Sequence, residues 1–197
     1  NTKIDRLRYH EGLWNAYSES KHFTSKIVIM TMPTEQVKHL LSKSTLDYDL
    51  TTPKPKYRAL YTCTFSSISD IEFMESTDHK DFSWIINNTK KGIHNSKSIY
   101  TVNSSDKLTK KLQILDKPDQ INLVNKTLSN YGFKQINDLK IHYWKYAFTE
   151  NKSPLEYSWN PKYGIGACGD GYGYGNTDGA ITSAYKIINP ILHLLNQ

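Results

Sequence analysis

Tyr163-Gly-Ile-Gly-Ala-Cys168-Gly-Asp170-Gly-Tyr-Gly-Tyr-Gly-Asn176-Thr-Asp178-Gly-Ala-Ile-Thr-Ser-Ala184 is the stretch on which the fold turns. It opens with small apolar residues ending at Gly169-Asp170, crosses a loop with glycine at 171, 173 and 175, and then takes on helical periodicity. Ala184, Ile187, Ile188, Ile191 and Leu195 recur at helical spacing and predict one apolar stripe. Asp178 stands where an N-cap belongs. The unit reads as buried strand, glycine loop and helix N-terminus.

That order has a chemical use, because a helix start offers unpaired N–H groups and a partial positive charge to an electron-rich neighbour. Glycines let the backbone approach a flat or anionic ligand closely. Asp170, at the strand end, can accept hydrogen bonds from sugar-like hydroxyls. The same residues also suit a purely structural turn and cap, and a glycine loop alone does not separate the two.

The 197 residues suffice for one good core or two small ones. No apolar run is long enough to span a bilayer, and no signal-peptide pattern opens the chain, so no membrane partner and a cytoplasmic setting are expected. The net charge of +6 comes from lysines scattered among Asn, Ser and Thr, which favours a solvated surface over a nucleic-acid footprint. Cys63 and Cys168 lie in apolar contexts without C-x-x-C spacing and read as structural thiols. The N-x-S/T triplets at Asn87, Asn103, Asn125 and Asn151 follow from an Asn-rich composition.

In chain order, residues 1 to 31 read as a hairpin around Glu11-Gly12 feeding the buried strand Ile27–Met30, which ends at Thr31-Met32-Pro33. Thr34 is expected to cap a short helix with Val37, Leu40 and Leu41 inward. The Pro53/Pro55 crossover within 44–57 marks a first boundary. Tyr57–Phe65, Phe82–Ile86 and Ser98–Val102 read as strands. Asp70, Glu72, Glu75, Asp78 and Asp81 form a solvated acidic loop with no metal-site spacing. Asp119 is expected to cap a helix buried through Ile121, Val124 and Leu128 and stopping at Asn130-Tyr-Gly132. Residues 138 to 148 alternate Leu139, Ile141 and Tyr143 against Lys140, His142 and Trp144, as a two-faced strand does. The irregular stretch 149 to 162 is a second boundary.

Gly169-Asp170-Gly171, followed by Asn176-x-Asp178-Gly179-x-Ile181-Thr182-Ser183-Ala184, resembles the closing motif of renalase and related flavin-containing amine-oxidase-like proteins. The Trp14 hairpin, the Thr31-Met32-Pro33 turn with Gln36 beyond it, and His142-x-Trp144-Lys145-Tyr146 resemble that family in the same order, with lysine at 145 where relatives carry arginine. The resemblance implies an α/β (α+β) fold: the C-terminal part of a two-domain FAD-binding flavoprotein, with residues 1–45 and 148–197 in the FAD domain and 46–147 forming the substrate-domain sheet. It implies that Gly169, Asp170, Gly171, Asn176, Thr177, Asp178, Gly179, Ala180, Thr31 and Met32 meet the cofactor FAD. By the same likeness His142, Trp144 and Tyr146 meet a small-molecule substrate, and no catalytic residue is assigned.

The implied reaction is hydride transfer from a dihydronicotinamide dinucleotide or an amine to the flavin, with reoxidation by oxygen. No strand followed by G-x-G-x-x-G and a helix occurs, so the Rossmann unit that receives the pyrophosphate is missing from this sequence. The chain alone is therefore expected to be inactive, to bind FAD weakly or not at all, and to expose an apolar face where that unit would dock. The rival expectation is a non-catalytic α+β binding module, secreted or surface-attached, whose glycine-tyrosine loop recognises a partner.

Overall fold

A computed structural model describes residues 2–44, 50–71, 74–75, 80–91, 98–151 and 153–196. Glu72 and Asp78 of the acidic loop, Gly92, and residues 45–49 of the first boundary lie outside the described residues. The order is β1 (Arg6–His10), β2 (Leu13–Tyr17), β3 (His22–Ser25), β4 (Val28–Met30), α1 (Thr34–Ser42), β5 (Tyr57–Ser67), β6 (Met74–Glu75) and β7 (Phe82–Asn87). A 3₁₀ turn at Thr89–Lys91 follows, then β8 (Ser98–Ser104), α2 (Asp106–Gln113), α3 (Lys117–Asn130), β9 (Asn137–Thr149), β10 (Ser158–Asn160), β11 (Ile165–Ala167) and α4 (Thr177–Leu195). The chain forms two compact units, residues 1–57 with 148–197, and residues 58–147. The Pro53/Pro55 stretch belongs to the first.

In the first unit β1, β2 and β3 make an antiparallel meander. Alternation on β1 and β2 sends Leu7 and Trp14 into a core with Met30, Val37, Leu40, Ile165 and Tyr172. A second sheet runs β10-β11-β4, with β11 parallel to β4 and antiparallel to β10. Ile165, Gly166 and Ala167 are all buried, as a strand covered on both faces requires. Each parallel strand leads through a short connection into a helix, β4 into α1 and β11 into α4.

The second unit is a five-stranded sheet, β6-β7-β8-β5-β9, with α2 and α3. Its buried cluster joins Cys63, Phe65, Phe82, Tyr100 and Val102 of the strands to Leu108, Leu112, Val124 and Leu128 of the helices. Asn87, the first glycosylation-like triplet, is buried and donates to the Tyr100 hydroxyl at 3.2 Å. Burial pushes the Cys63 thiol up to about 12 and also raises that of Cys168, so both are held as unreactive thiols.

Several sequence expectations are corrected. α3 starts at Lys117, capped by Asp116, whose carboxylate accepts from the Asp119 N–H at 2.9 Å, so Asp119 sits in the first turn and is not the cap. Thr34 does not cap α1: Pro33 holds the N-cap position, and the Thr34 hydroxyl is 3.2 Å from that of Tyr57. Asp178 is likewise not the cap of α4. Asn176 is, its side-chain oxygen accepting from the Gly179 N–H at 2.7 Å.

The α4 stripe differs too. Its buried seam is Gly179, Ser183 and Ile187, spaced by four, while Ala184, Ile188 and Leu195 are exposed and Ile191 is half-buried. Small residues on the seam let the helix lie close to its support. The larger apolar side chains therefore end up on the outside.

Candidate functional site

The carboxyl ends of β4 and β11 lie side by side, Met30 opposite Ala167, and the Cys168 N–H extends the ladder to the Met30 carbonyl at 3.1 Å. Beyond them the chain turns at Gly169, whose φ of +139° is a conformation side chains resist. A Cβ there would also stand 3.3 Å from the Thr31 carbonyl oxygen. The Gly169 N–H donates to Ser183 Oγ on α4 at 3.2 Å, which pins the turn to the helix. This geometry gathers Thr31, Gly169, Asp170 and Gly171 at the edge where ligands bind open α/β sheets.

Asp170 is half-buried at this edge. Its carboxylate accepts from its own N–H and that of Gly171, but loss of water around it outweighs those bonds and raises its pKa above the usual aspartate value. No cation pairs with it among the described residues. Thr149 Oγ1 donates to the Asp170 carbonyl at 3.3 Å and steadies the backbone. Gly171 presses against the start of α1, where an added Cβ would lie 2.8 Å from Thr34 Cγ2 and 2.9 Å from the Tyr57 hydroxyl. That hydroxyl accepts the Thr34 N–H at 3.0 Å, and its own pKa is raised by burial first, with the negative charge of Asp170 contributing.

A carboxyl that resists ionisation in the fold opposes folding once it is charged. Below the ordinary carboxylate pKa the effect is absent; it grows as pH rises through the window up to the raised value and stays constant above it. Asp170→Asn, which keeps the two backbone bonds, is therefore expected to raise the melting temperature at neutral pH. The gain should vanish in acid, and thermal melts across that range check it. A variant less stable than the parent at pH 7 would show that the charge is compensated. A stability cost of this kind is common where a group is kept for function.

Asn176 to Ala180 form the start of α4. The N–H of Gly179 is taken by the Asn176 side chain, and that of Ala180 by the Asn176 carbonyl at 2.8 Å. Of the residues singled out here, Thr177 and Asp178 keep backbone donors that the helix does not use. Met32 is half-buried and packs against the first unit's core, whereas the Thr31 side chain is exposed. His142, Trp144 and Tyr146 belong to the second unit, in a row on β9. The His142 and Trp144 rings meet edge-on at 4.3 Å, Trp144 is half-exposed, and Lys145 Nζ lies 5.3 Å from the Tyr146 ring.

No protein-family model matches the chain, and no curated protein matches it in sequence. Solved structures do match. A protein described as a protoporphyrinogen oxidase from Exiguobacterium sp. 255-15 superposes over 100% of this chain and 47% of its own, with TM-score 0.67 and 12% identity. The chain has the fold of the C-terminal part of FAD-dependent oxidases. Cyclohexylamine oxidase from Brevibacterium oxydans IH-35A matches over 99% of this chain and 49% of its own, with TM-score 0.65 and 10% identity. Putrescine oxidase bound to putrescine matches over 98% and 49%, with TM-score 0.65 and 11% identity. The chain thus spans about half the length of each. Their substrates differ, so the likeness carries the architecture and not the reaction.

Sequence reasoning missed Tyr57, Thr149 and Ser183, which hold Gly169–Gly171 and the α1 start in place. Tyr57 and Thr149 carry no motif signal, and Ser183 lies inside the closing motif with nothing in it that marks this contact. A cavity of about 770 Å³ lies elsewhere, at the meander, lined by residues from Thr2 to Lys43.

Proposed function

We propose that this chain is the C-terminal portion of a flavin-dependent oxidoreductase of the renalase or amine-oxidase-like group. The observation that carries the reading is Asp170: a half-buried carboxylate that accepts from backbone N–H groups, at the carboxyl edge of the parallel pair, in the fold of these oxidases. In this reading Asp170 accepts from the ribityl hydroxyls, and the Thr177 and Asp178 N–H groups face the carbonyl edge of the flavin ring. Gly169 and Gly171 keep the backbone low beneath it, with Thr31 and Met32 alongside.

The residues present fit the ring and ribityl end of FAD. Nothing in the sequence fits its pyrophosphate, because G-x-G-x-x-G is lacking. When bound, the flavin supplies hydride acceptance and reoxidation by oxygen. The row His142, Trp144 and Tyr146 is the proposed substrate-contacting surface of the second unit. The substrate is a dihydronicotinamide dinucleotide, as NADH- or NADPH-derived isomers are, or an amine. A hydride delivered from a dihydronicotinamide needs no general base.

Support for a missing front unit comes from α4, where Ile181, Tyr185, Ile188, Leu192 and Leu195 are 43–69% exposed along one helix. Large apolar side chains exposed in a row along one helix face mark an interaction surface. The 197-residue chain, titrated with FAD and followed by its visible spectrum, is expected to bind weakly or not at all; tight binding would overturn the fragment reading. The protein purified from its native source is expected to be yellow, and a colourless protein would sink the flavin reading itself. In the yellow protein Asp170→Ala should weaken flavin binding about tenfold or more, the scale of a lost hydrogen bond to a charged group.

A further inference from the structure

The outer face of the meander has a chemistry that the flavin reading does not use. With Leu7 and Trp14 turned to the core, strand register puts Arg6 across from Tyr17, Arg8 across from Asn15, and Tyr17 across from His22 on the opposite face. The Arg6 guanidinium carbon is 4.7 Å from the Tyr17 ring centroid, and that of Arg8 is 6.0 Å. His22 stacks on the same ring at 4.7 Å and 13°, and its Nε2 is 2.8 Å from Asn15 Oδ1. A guanidinium held over a ring keeps its in-plane N–H donors available for a bidentate oxyanion.

This row ends in the 770 Å³ cavity, whose free cations come from three elements. Arg6 stands on β1. Lys21 closes the β2–β3 turn, its carbonyl accepting the Ser18 N–H at 2.8 Å, and Lys43 is the C-cap residue of α1. Lys3 and Asp5 also line the wall, but they pair at 3.1 Å and cancel. Among the described residues that line the cavity, Glu19 is then the only acid left against Arg6, Lys21 and Lys43, none of which has an ion-pair partner among the described residues.

Three cations converging on a cavity of ligand size repel one another until a multivalent anion fills it. Tyr17 is flanked by Arg6 on one side and His22 on the other, so it offers no open platform for a nucleobase. We propose that this cavity binds a small, multiply charged oxyanion of the polyphosphate class, with Arg6 as the bidentate contact and Lys21 and Lys43 as point charges. The assignment does not depend on the flavin.

Calorimetric titration of the 197-residue chain with inorganic tripolyphosphate tests it. Saturable one-to-one binding is expected, weakened about tenfold by Arg6→Gln and by Lys43→Gln, each removing a charge-assisted contact. Lys107→Gln, at an exposed position on α2 in the other unit, changes the net charge equally and should leave binding unchanged. All three positions are exposed, so circular dichroism should give each variant the parent melting curve. Absence of saturation, or a Lys107→Gln loss equal to that of Arg6→Gln, overturns the site. A single-stranded oligonucleotide bound more tightly than tripolyphosphate, and lost with Arg6→Gln, makes the partner a nucleic acid and overturns the small-anion assignment.

Discussion

Replacing Trp14 with alanine is expected to cost the first unit about 3–5 kcal/mol, the range for deleting a large buried aromatic side chain. Trp14 is 0% exposed, and Tyr9 packs against it at 5.2 Å while meeting Tyr163 edge-on at 5.3 Å. Its Nε1–H donates to the Tyr163 carbonyl at 2.5 Å, across 149 residues of chain. The indole thus ties the N-terminal hairpin to the residue two positions before β11. Truncation leaves a void and removes the indole donor from a part-buried carbonyl. Trp14→Phe separates the two losses: it keeps most of the volume, gives up the N–H, and should cost about 1–3 kcal/mol. Denaturant unfolding of the 197-residue chain, followed by far-ultraviolet circular dichroism, reads both. A Trp14→Ala loss under about 1 kcal/mol would mean that the site collapses around the missing ring.

The parts of this fold that are legible in the sequence are those that local chemistry specifies. Trp14 between alternating residues, a buried run closed by Pro33, and small apolar residues leading to Gly169-Asp170 each announce an element through periodicity and turn chemistry. Helix starts are legible only to within a turn. Asn176 competes with Asp178, and Asp116 with Asp119, because every one of them is a competent cap and the backbone path decides between them. α2 goes unread because it has eight residues and only Leu108 and Leu112 as apolar anchors among lysines. On α4 the sequence gives an amphipathic helix but not which side finds a support. Gly179-x-x-x-Ser183-x-x-x-Ile187 wins the inside through small size rather than hydrophobicity. At the candidate site, Asp170 and its glycines stand out in sequence, whereas Tyr57, Thr149 and Ser183 reach it through contacts spanning 23, 21 and 14 residues. Such contacts leave no local pattern.

Gly166→Val is expected to destabilise the first unit by about 3 kcal/mol or more, at the upper end for overpacking a core. Gly166 is the middle residue of β11, paired with Trp159 on β10 and Ile29 on β4. A Cβ at 166 would lie 2.8 Å from Ile187 Cδ1, 2.8 Å from the Ser158 carbonyl oxygen and 2.8 Å from Trp159 Cε3. The Ile187 tip can rotate away, but the Ser158 oxygen belongs to the neighbouring strand and moves only if the β10–β11 ladder shifts. The first added atom therefore does most of the damage, and Gly166→Ala should lose nearly as much as valine does. Gly173→Ala makes the contrast. No atom lies within 4 Å of its Cβ position, and its φ of +62° leaves only a backbone penalty of about 1–2 kcal/mol. Thermal melts of the three variants should rank them in that order, and a Gly166→Ala protein as stable as the parent would show that the ladder yields freely. The site shares this constraint, because Ile187 and Ser183 lie one turn apart on the same seam of α4. Pushing the helix off β11 lengthens the Gly169 N–H to Ser183 bond and carries the α4 N-terminus away from Asp170. A variant that survives folding should therefore lose the Asp170→Asn stabilisation, since its carboxylate would regain water.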